Sequence, residues 1–161
     1  IFLIDDKIQG TRLKKRLKKN IQNGYEKIQF LDKLSVDDYI NKCGEASVLL
    51  DTLYFGAGNS FHESMYYGTP SISLPTQNLK SKIVSGAYKQ MKVDNPPICN
   101  NIEEYVKKAV ELANLEPKKM LYMKNYYKKK ANDFLYENEH FIEEMNTLFI
   151  DLFNENEKTS I

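Results

Sequence analysis

Gly56, Gly58, Asn59, Ser60 and Glu63 stand close together in this chain and are its residues best suited to chemistry. They follow an apolar run, Val48 to Asp51, and precede the punctuation Gly68-Thr69-Pro70 and a second apolar run, Ser71 to Leu74. A strand, a glycine-bearing turn and a helix start, in that order, present unpaired backbone N–H groups to an anion, and the helix dipole favours negative charge there. Gly58 can take positive φ and let a ligand approach the main chain. Ser60 reads both as an N-cap and as a hydroxyl donor to phosphate. Glu63 reads either as the partner in a capping box or as an acceptor for ribose hydroxyls. Spacing alone is equally compatible with an ordinary capped βα turn, because short glycine motifs recur by chance.

Alternating elements must position these residues. Ile1 to Ile4 and Lys27 to Leu31 read as strands, with a basic amphipathic helix over Thr11 to Ile21 between them. Ser35 caps a helix running to Lys42, with Asp37 and Asp38 in its first turn, where the dipole favours acids. Val48 to Asp51 and Ser71 to Leu74 are the third and fourth strands. A helix from Leu79 to Met91 leads to a short fifth strand at Pro97 to Cys99. Strands separated by helices imply βαβ units and a parallel sheet, so the fold class is α/β and Rossmann-like. In such sheets ligands sit beyond the carboxyl ends of the strands. The loop after Leu74, with Thr76, Gln77, Asn78, Lys80 and Lys82, is therefore expected to face the same crevice as the loop after Asp51.

Beyond Asn101 the pattern is helical only. Ile102, Tyr105, Val106, Ala109, Val110 and Leu112 form one apolar face, Pro117 starts a second helix, and Phe141, Met145, Leu148, Phe149 and Leu152 stripe a third. The expected organisation is a Rossmann-like α/β portion over residues 1–100, helices packed on it over 101–153, and a polar, frayed tail over 154–161. Trailing helices of this kind give the whole a fold of α/β class with a helical end.

Composition narrows the classes. Lys+Arg number 23 against Asp+Glu 22, which disfavours a general nucleic-acid binder. The basic runs at Lys14 to Lys19 and Lys128 to Lys130 lie in helical patterns and read as solvated faces. Cys43 and Cys99 have no paired spacing, which points to reduced thiols, a cytoplasmic setting and neither disulfide nor zinc site. No apolar run approaches the roughly 18 to 20 residues needed to span a bilayer. The chain starts inside an apolar run, as a piece of a longer protein would. His62 and Glu63 are helix neighbours that point apart, His140 is far away and solvent-facing, and Asp5-Asp6 reads as a turn without a metal. Gly86 reads as a close-packing position of its helix, and Asp51 as the residue that fixes the geometry of the loop after it.

The run DTLYFGAGNSFHESMYYGTPSISLP, continued by SKIVSGAYKQMKV, resembles the C-terminal donor-binding domain of O-GlcNAc transferase-like glycosyltransferases, the SPINDLY-type and TPR-associated bacterial members in particular. The resemblance is continuous from about Phe30 to Val93 and fainter to about Phe153. It implies GT-B architecture, here the C-terminal of two Rossmann-like halves. It also implies transfer of a sugar from a UDP-sugar, UDP-GlcNAc first, to an acceptor hydroxyl on protein. The family's GGGN[TS] loop corresponds to Gly56-Ala57-Gly58-Asn59-Ser60, its helix acid to Glu63 and its GTP to Gly68-Thr69-Pro70. By this resemblance Gly58, Asn59, Ser60 and Lys82 are diphosphate-binding and Glu63 is ribose-binding. Lys82 is equally readable as a solvated lysine. Tyr39 falls near a base-contacting histidine of animal members, and either stacks on uracil or packs in the core. Animal members carry a histidine where this chain has Gly58, and His62 does not restore it by register.

No cofactor and no metal are expected, the diphosphate being held by amides, a hydroxyl and an ammonium. No catalytic base is identified; in the resembling family base and acceptor groove come largely from the other GT-B half, so the chain alone is expected to be inactive. The expected partners are the nucleotide-sugar donor, an acceptor protein or glycan, that missing half and TPR repeats, with no nucleic acid and no membrane span. Two other readings stay open: a GT-B-fold nucleotide-sugar epimerase, and a non-catalytic scaffold derived from a transferase.

Overall fold

The computed structural model describes residues 2–4, 7–136 and 139–159; Ile1 and the Asp5-Asp6 turn lie outside them. The chain divides into two compact units, residues 1–42 and 43–161. In the first, strand β1 (Phe2–Ile4) leads through helix α1 (Lys7–Asn20) to β2 (Gln29–Leu31), and the strands pair in parallel with Leu3 opposite Phe30. This is the βαβ unit expected. Helix α1 begins ahead of Thr11 and carries Gly10 inside it, buried. A mid-helix glycine costs about 1 kcal/mol relative to alanine, a preference that packing can override. Helix α2 (Val36–Glu45) starts as predicted: the Asp38 N–H donates to Ser35 Oγ at 3.2 Å, and the Ser35 hydroxyl donates to Asp38 Oδ2 at 2.6 Å.

In the second unit β3 (Leu49–Leu50) pairs in parallel with β4 (Ser71–Ile72). Between them lies helix α3 (Asn59–Met65). The ladder extends at both ends, from Leu49 N–H to the Pro70 carbonyl (2.8 Å) and from Asp51 N–H to that of Ile72 (3.0 Å). The expected fifth strand is a single parallel bridge between Ser73 and Ile98. Pro96 and Pro97 have no N–H to contribute to a longer ladder. The parallel pairing expected of an α/β fold thus holds in both units, but among the described residues as two two-stranded ladders where one sheet of four or five strands is expected.

The predicted helix from Leu79 to Met91 resolves into a 3₁₀ turn, Leu79–Ser81, and helix α4 (Ile83–Gln90). The core of this unit joins α3 and α4 to the helical end: Phe61, Met65, Val84, Tyr88 and Met91 pack with Tyr127 and Ala131. The Phe61 and Tyr88 rings meet edge to face, with centroids 5.1 Å apart. The Tyr88 hydroxyl accepts from Ser71 N–H (2.7 Å) and donates to the Ser71 carbonyl (3.0 Å), so a side chain completes the flank of β4.

Helices α5 (Ile102–Ala113), α6 (Pro117–Phe134) and α7 (Glu139–Thr159) follow. Pro117 occupies the first turn of α6, as expected. Tyr127 and Ala131 bring α6 into the core although its sequence is dominated by Lys and Tyr. On α5 the apolar positions split: Tyr105, Ala109 and Leu112 are half-buried, whereas Ile102, Val106 and Val110 are exposed. Helix α7 continues through Thr159, past Asn154 where the polar composition predicts a tail. Glutamate and lysine are sound helix formers, which suits the continuation. Among the described residues no helix is long and apolar enough to cross a membrane.

Candidate functional site

Asp51 ends the β3 ladder and is buried, with 4% of its surface exposed. Its carboxylate accepts from the Ala57 N–H at 2.6 Å through Oδ1 and from the Ser73 hydroxyl at 2.5 Å through Oδ2. The Thr52 hydroxyl donates to the Phe55 carbonyl and closes the turn between them. These bonds tie Asp51 to the loop that the sequence expectation assigns to it.

Within this loop, Gly56 is the glycine that the packing requires. A Cβ there would lie 2.7 Å from the Lys80 carbonyl oxygen and 3.3 Å from Asp51 Oδ1. The Gly56 N–H donates to the same Lys80 carbonyl at 2.8 Å. Gly58 differs from expectation: its φ is −85°, and a Cβ on it would meet nothing within 4 Å. Gly58 also takes the N-cap position of α3, with no side-chain cap, so Ser60 lies inside the helix. The N-cap role of Ser60 and the capping box with Glu63 are therefore both corrected. The loop, already pinned at Gly56 and Ala57, starts the helix two residues early. The Gly58 carbonyl takes bonds from Phe61 N–H (3.0 Å) and His62 Nδ1 (3.1 Å). A carbonyl only accepts, so His62 Nδ1 carries the proton and the ring serves the helix start. Asn59 and Ser60 supply first-turn amides, which have no intrahelical acceptor. Asn59 is exposed, Ser60 and Glu63 are half-buried, and Asn59 and Glu63 share a helix face.

The loop after Leu74 is held from within. Buried Ser81 accepts from Thr76 N–H at 2.8 Å, lies 2.8 Å from the Thr76 hydroxyl, and donates to the Asn78 carbonyl at 2.7 Å. It adjoins the loop after Asp51 at two points, the Gly56–Lys80 backbone bond and the Lys80 ammonium, 5.4 Å from the centre of the Phe55 ring. The two strand-end loops thus meet. Lys82 is exposed at the N-cap position of α4. Gly86 is exposed, with open space where its Cβ would be, so close packing does not account for it.

Tyr39 lies in the first compact unit, half-buried on α2. His140 is exposed, 3.3 Å from Glu144. Among the described residues no group of three or more His, Cys, Asp or Glu is arranged to hold a metal ion. Cys43 and Cys99 are buried and form no disulfide.

Two contributors are absent from the sequence reading. Ser73 was legible only as one of two alternating serines, Ser71 and Ser73, in an apolar strand. Tyr105 on α5 donates its hydroxyl to the Asp51 carbonyl at 2.8 Å. Burial first, and the Asp51 charge second, push its pKa up to about 12, so it remains a donor throughout the neutral range. Nothing in the local sequence joins Tyr105 to a strand end 54 residues earlier.

No protein-family model matches the chain. A curated Arabidopsis thaliana protein, described as a probable UDP-N-acetylglucosamine–peptide N-acetylglucosaminyltransferase SEC, is 28% identical over 93 residues. That alignment covers 58% of this chain and 10% of the plant protein. In fold, the chain is similar to a Thermobaculum terrenum O-GlcNAc transferase variant, with a TM-score of 0.83 at 16% identity, over 99% of this chain and 31% of that one. The chain therefore spans about a tenth of the length of its curated relative and under a third of the solved one. Motif, sequence and fold point the same way: the chain is similar to O-GlcNAc transferases over part of its length, and its fold is that of the corresponding part of a GT-B enzyme.

Proposed function

We propose that this chain binds a UDP-sugar, UDP-GlcNAc first among them, as the donor-binding part of a glycosyltransferase that transfers the sugar to an acceptor hydroxyl on protein. The observation that carries the reading is the meeting of the two strand-end loops through the Gly56–Lys80 bond, beside the first-turn amides of Asn59 and Ser60. Support also comes from the plant relative, whose description names UDP-N-acetylglucosamine as its donor.

In this reading the diphosphate lies against the Gly58–Ser60 backbone and the Ser60 hydroxyl. Lys82 supplies a point charge, and Glu63 accepts from the ribose hydroxyls. Sugar transfer places growing negative charge on the leaving diphosphate, and donors already held in place stabilise it without reorganising at the moment of reaction. Amides, a hydroxyl and an ammonium can do this with no divalent ion. In the resembling family the general base and the acceptor groove come largely from the other GT-B half and the interdomain cleft, so turnover by this chain alone is not expected. Buried cysteines outside any disulfide suit a reducing, cytoplasmic compartment.

Isothermal titration with UDP, ADP and GDP, each with and without EDTA, tests the proposal. Preferential UDP binding that survives EDTA is expected. Equal affinity for all three, or dependence on a divalent ion, would sink it. Transfer to an acceptor in the full-length protein separates a transferase from an epimerase. An intact fold without nucleotide binding would point to the scaffold.

A further inference from the structure

Asp51 gathers hydrogen bonds from three separate places. Its carboxylate takes the Ala57 N–H of the loop and the Ser73 hydroxyl at the end of β4, and its carbonyl takes the Tyr105 hydroxyl of α5. The loop has one more fixed point, Gly56 against the Lys80 carbonyl, where no side chain fits. Residues 52 to 55 lie between Asp51 and these two pins, and Tyr54 and Phe55 in that stretch are 79% and 66% exposed. Exposed side chains offer little burial to hold a loop. Apart from the Thr52–Phe55 bond within the turn and the Lys80 ammonium near the Phe55 ring, its conformation rests on the bonds at its base, and Asp51 supplies those that reach Ala57 and Ser73.

We propose that Asp51 is a positioning residue: its carboxylate, by holding Ala57 against the end of β4, sets the 52–58 loop and through it the start of α3. The role is carried by hydrogen-bond acceptance, with the Tyr105 hydroxyl steadying the Asp51 main chain from the helical end of the molecule. The consequence for binding rests on the donor-site reading above, because that reading puts the diphosphate against Gly58, Asn59 and Ser60.

The experiment compares the unaltered protein with Asp51→Asn and Asp51→Ala. It follows backbone amide exchange residue by residue by NMR, and UDP affinity by titration. Asparagine keeps an acceptor for Ala57 N–H and can donate to Ser73 Oγ, which also accepts. The expected result is that Asp51→Ala speeds Ala57 amide exchange at least tenfold while the β4 amides keep their protection. Its UDP affinity is expected to fall about tenfold or more, and Asp51→Asn to stay within about threefold of the unaltered protein in both readouts. A purely structural role would lower thermal stability while leaving Ala57 exchange and UDP affinity of the folded protein unmoved, and that result overturns the proposal. So does an asparagine variant as impaired as the alanine one. If Asp51→Ala fails to fold, Ser73→Ala is the second variant. Removing that partner is expected to accelerate Ala57 exchange to a smaller degree, and unchanged exchange overturns the proposal. If the unaltered protein binds no UDP, the donor-site reading falls, and amide exchange alone decides whether Asp51 holds the loop.

Discussion

Glu63 shows how a single residue can change meaning between sequence and structure. Its spacing from Ser60 suits a capping box, but Gly58 is the N-cap and no side chain caps α3. The carboxylate is thus left available for ligand, half-buried on the helix face it shares with Asn59. A hydrogen bond to a charged group contributes about 1.5 to 3 kcal/mol, so Glu63→Gln is expected to weaken UDP binding roughly 10- to 100-fold. Thermal stability should hardly move, since no cap is lost. Titration and a melting curve on the same variant check both expectations, and unchanged UDP affinity would remove Glu63 from the site. With 2′-deoxy-UDP the penalty should shrink if the contact reaches the 2′-hydroxyl. Gly58→Ala is the companion measurement. A Cβ there meets no neighbour within 4 Å, so the alanine variant should still fold, as a melting curve would show. A fall in UDP affinity in that variant would then report a ligand against the main chain.

At the scale of elements, β4 depends on a side chain. Tyr88 bonds both the N–H and the carbonyl of Ser71, the place a neighbouring strand would take if the ladder at Ile98 began earlier. Burial foremost, with nearby Tyr127, raises the Tyr88 pKa well above its ordinary value, so the hydroxyl keeps its proton. Tyr88→Phe retains the ring but strands two buried backbone groups, at about 1 to 3 kcal/mol each, and denaturant unfolding should show a loss in that range or somewhat above it. Helix α5 offers a pH test. The Asn100 N–H, and after it Lys108, hold the Glu104 carboxyl below its ordinary value. A depressed carboxyl stabilises the fold above the unfolded-state value of about 4.3, and that contribution disappears as pH falls through the folded value. Glu104→Gln should therefore lose less stability than the unaltered protein on going from about pH 6 to about pH 3, as read by melting temperature. Equal losses would mean that Glu104 contributes nothing to acid sensitivity.

For the molecule as a whole, the junction of α6 with the turn after α3 is the least forgiving contact described. Gly68 has φ +68°, and a Cβ on it would lie 1.9 Å from the Lys124 carbonyl oxygen and 2.8 Å from Lys128 N. These are backbone atoms of α6 and cannot swing aside. The Lys124 ammonium in turn donates to the Gly44 and Ala46 carbonyls, both at 2.6 Å, at a site where burial lowers its pKa. Gly68→Ala combines left-handed strain of about 1 to 2 kcal/mol with displacement of α6. The total expected is about 3 kcal/mol or more, read by chemical unfolding or, at the extreme, by loss of soluble protein. A change below about 1 kcal/mol would show that α6 is held elsewhere.

The sequence alone was enough for the alternation of strands and helices, the parallel βαβ pairing, the Ser35 cap and the position of the loop between Asp51 and α3. Each depends on periodicity or on bonds a few residues apart, which composition and spacing encode directly. The family resemblance was legible for the same reason, in one nearly unbroken run of residues. Tertiary structure decided the rest. It selected Gly58 over Ser60 as the cap, gave Gly56 the close approach to Lys80, drew the lysine- and tyrosine-rich α6 into the core, and set Ser73 and Tyr105 around Asp51. Most of those outcomes turn on contacts between distant segments, Ser73 and Tyr105 standing 22 and 54 residues from Asp51, whose partners no local pattern names. A side chain's role there follows from what the fold brings against it.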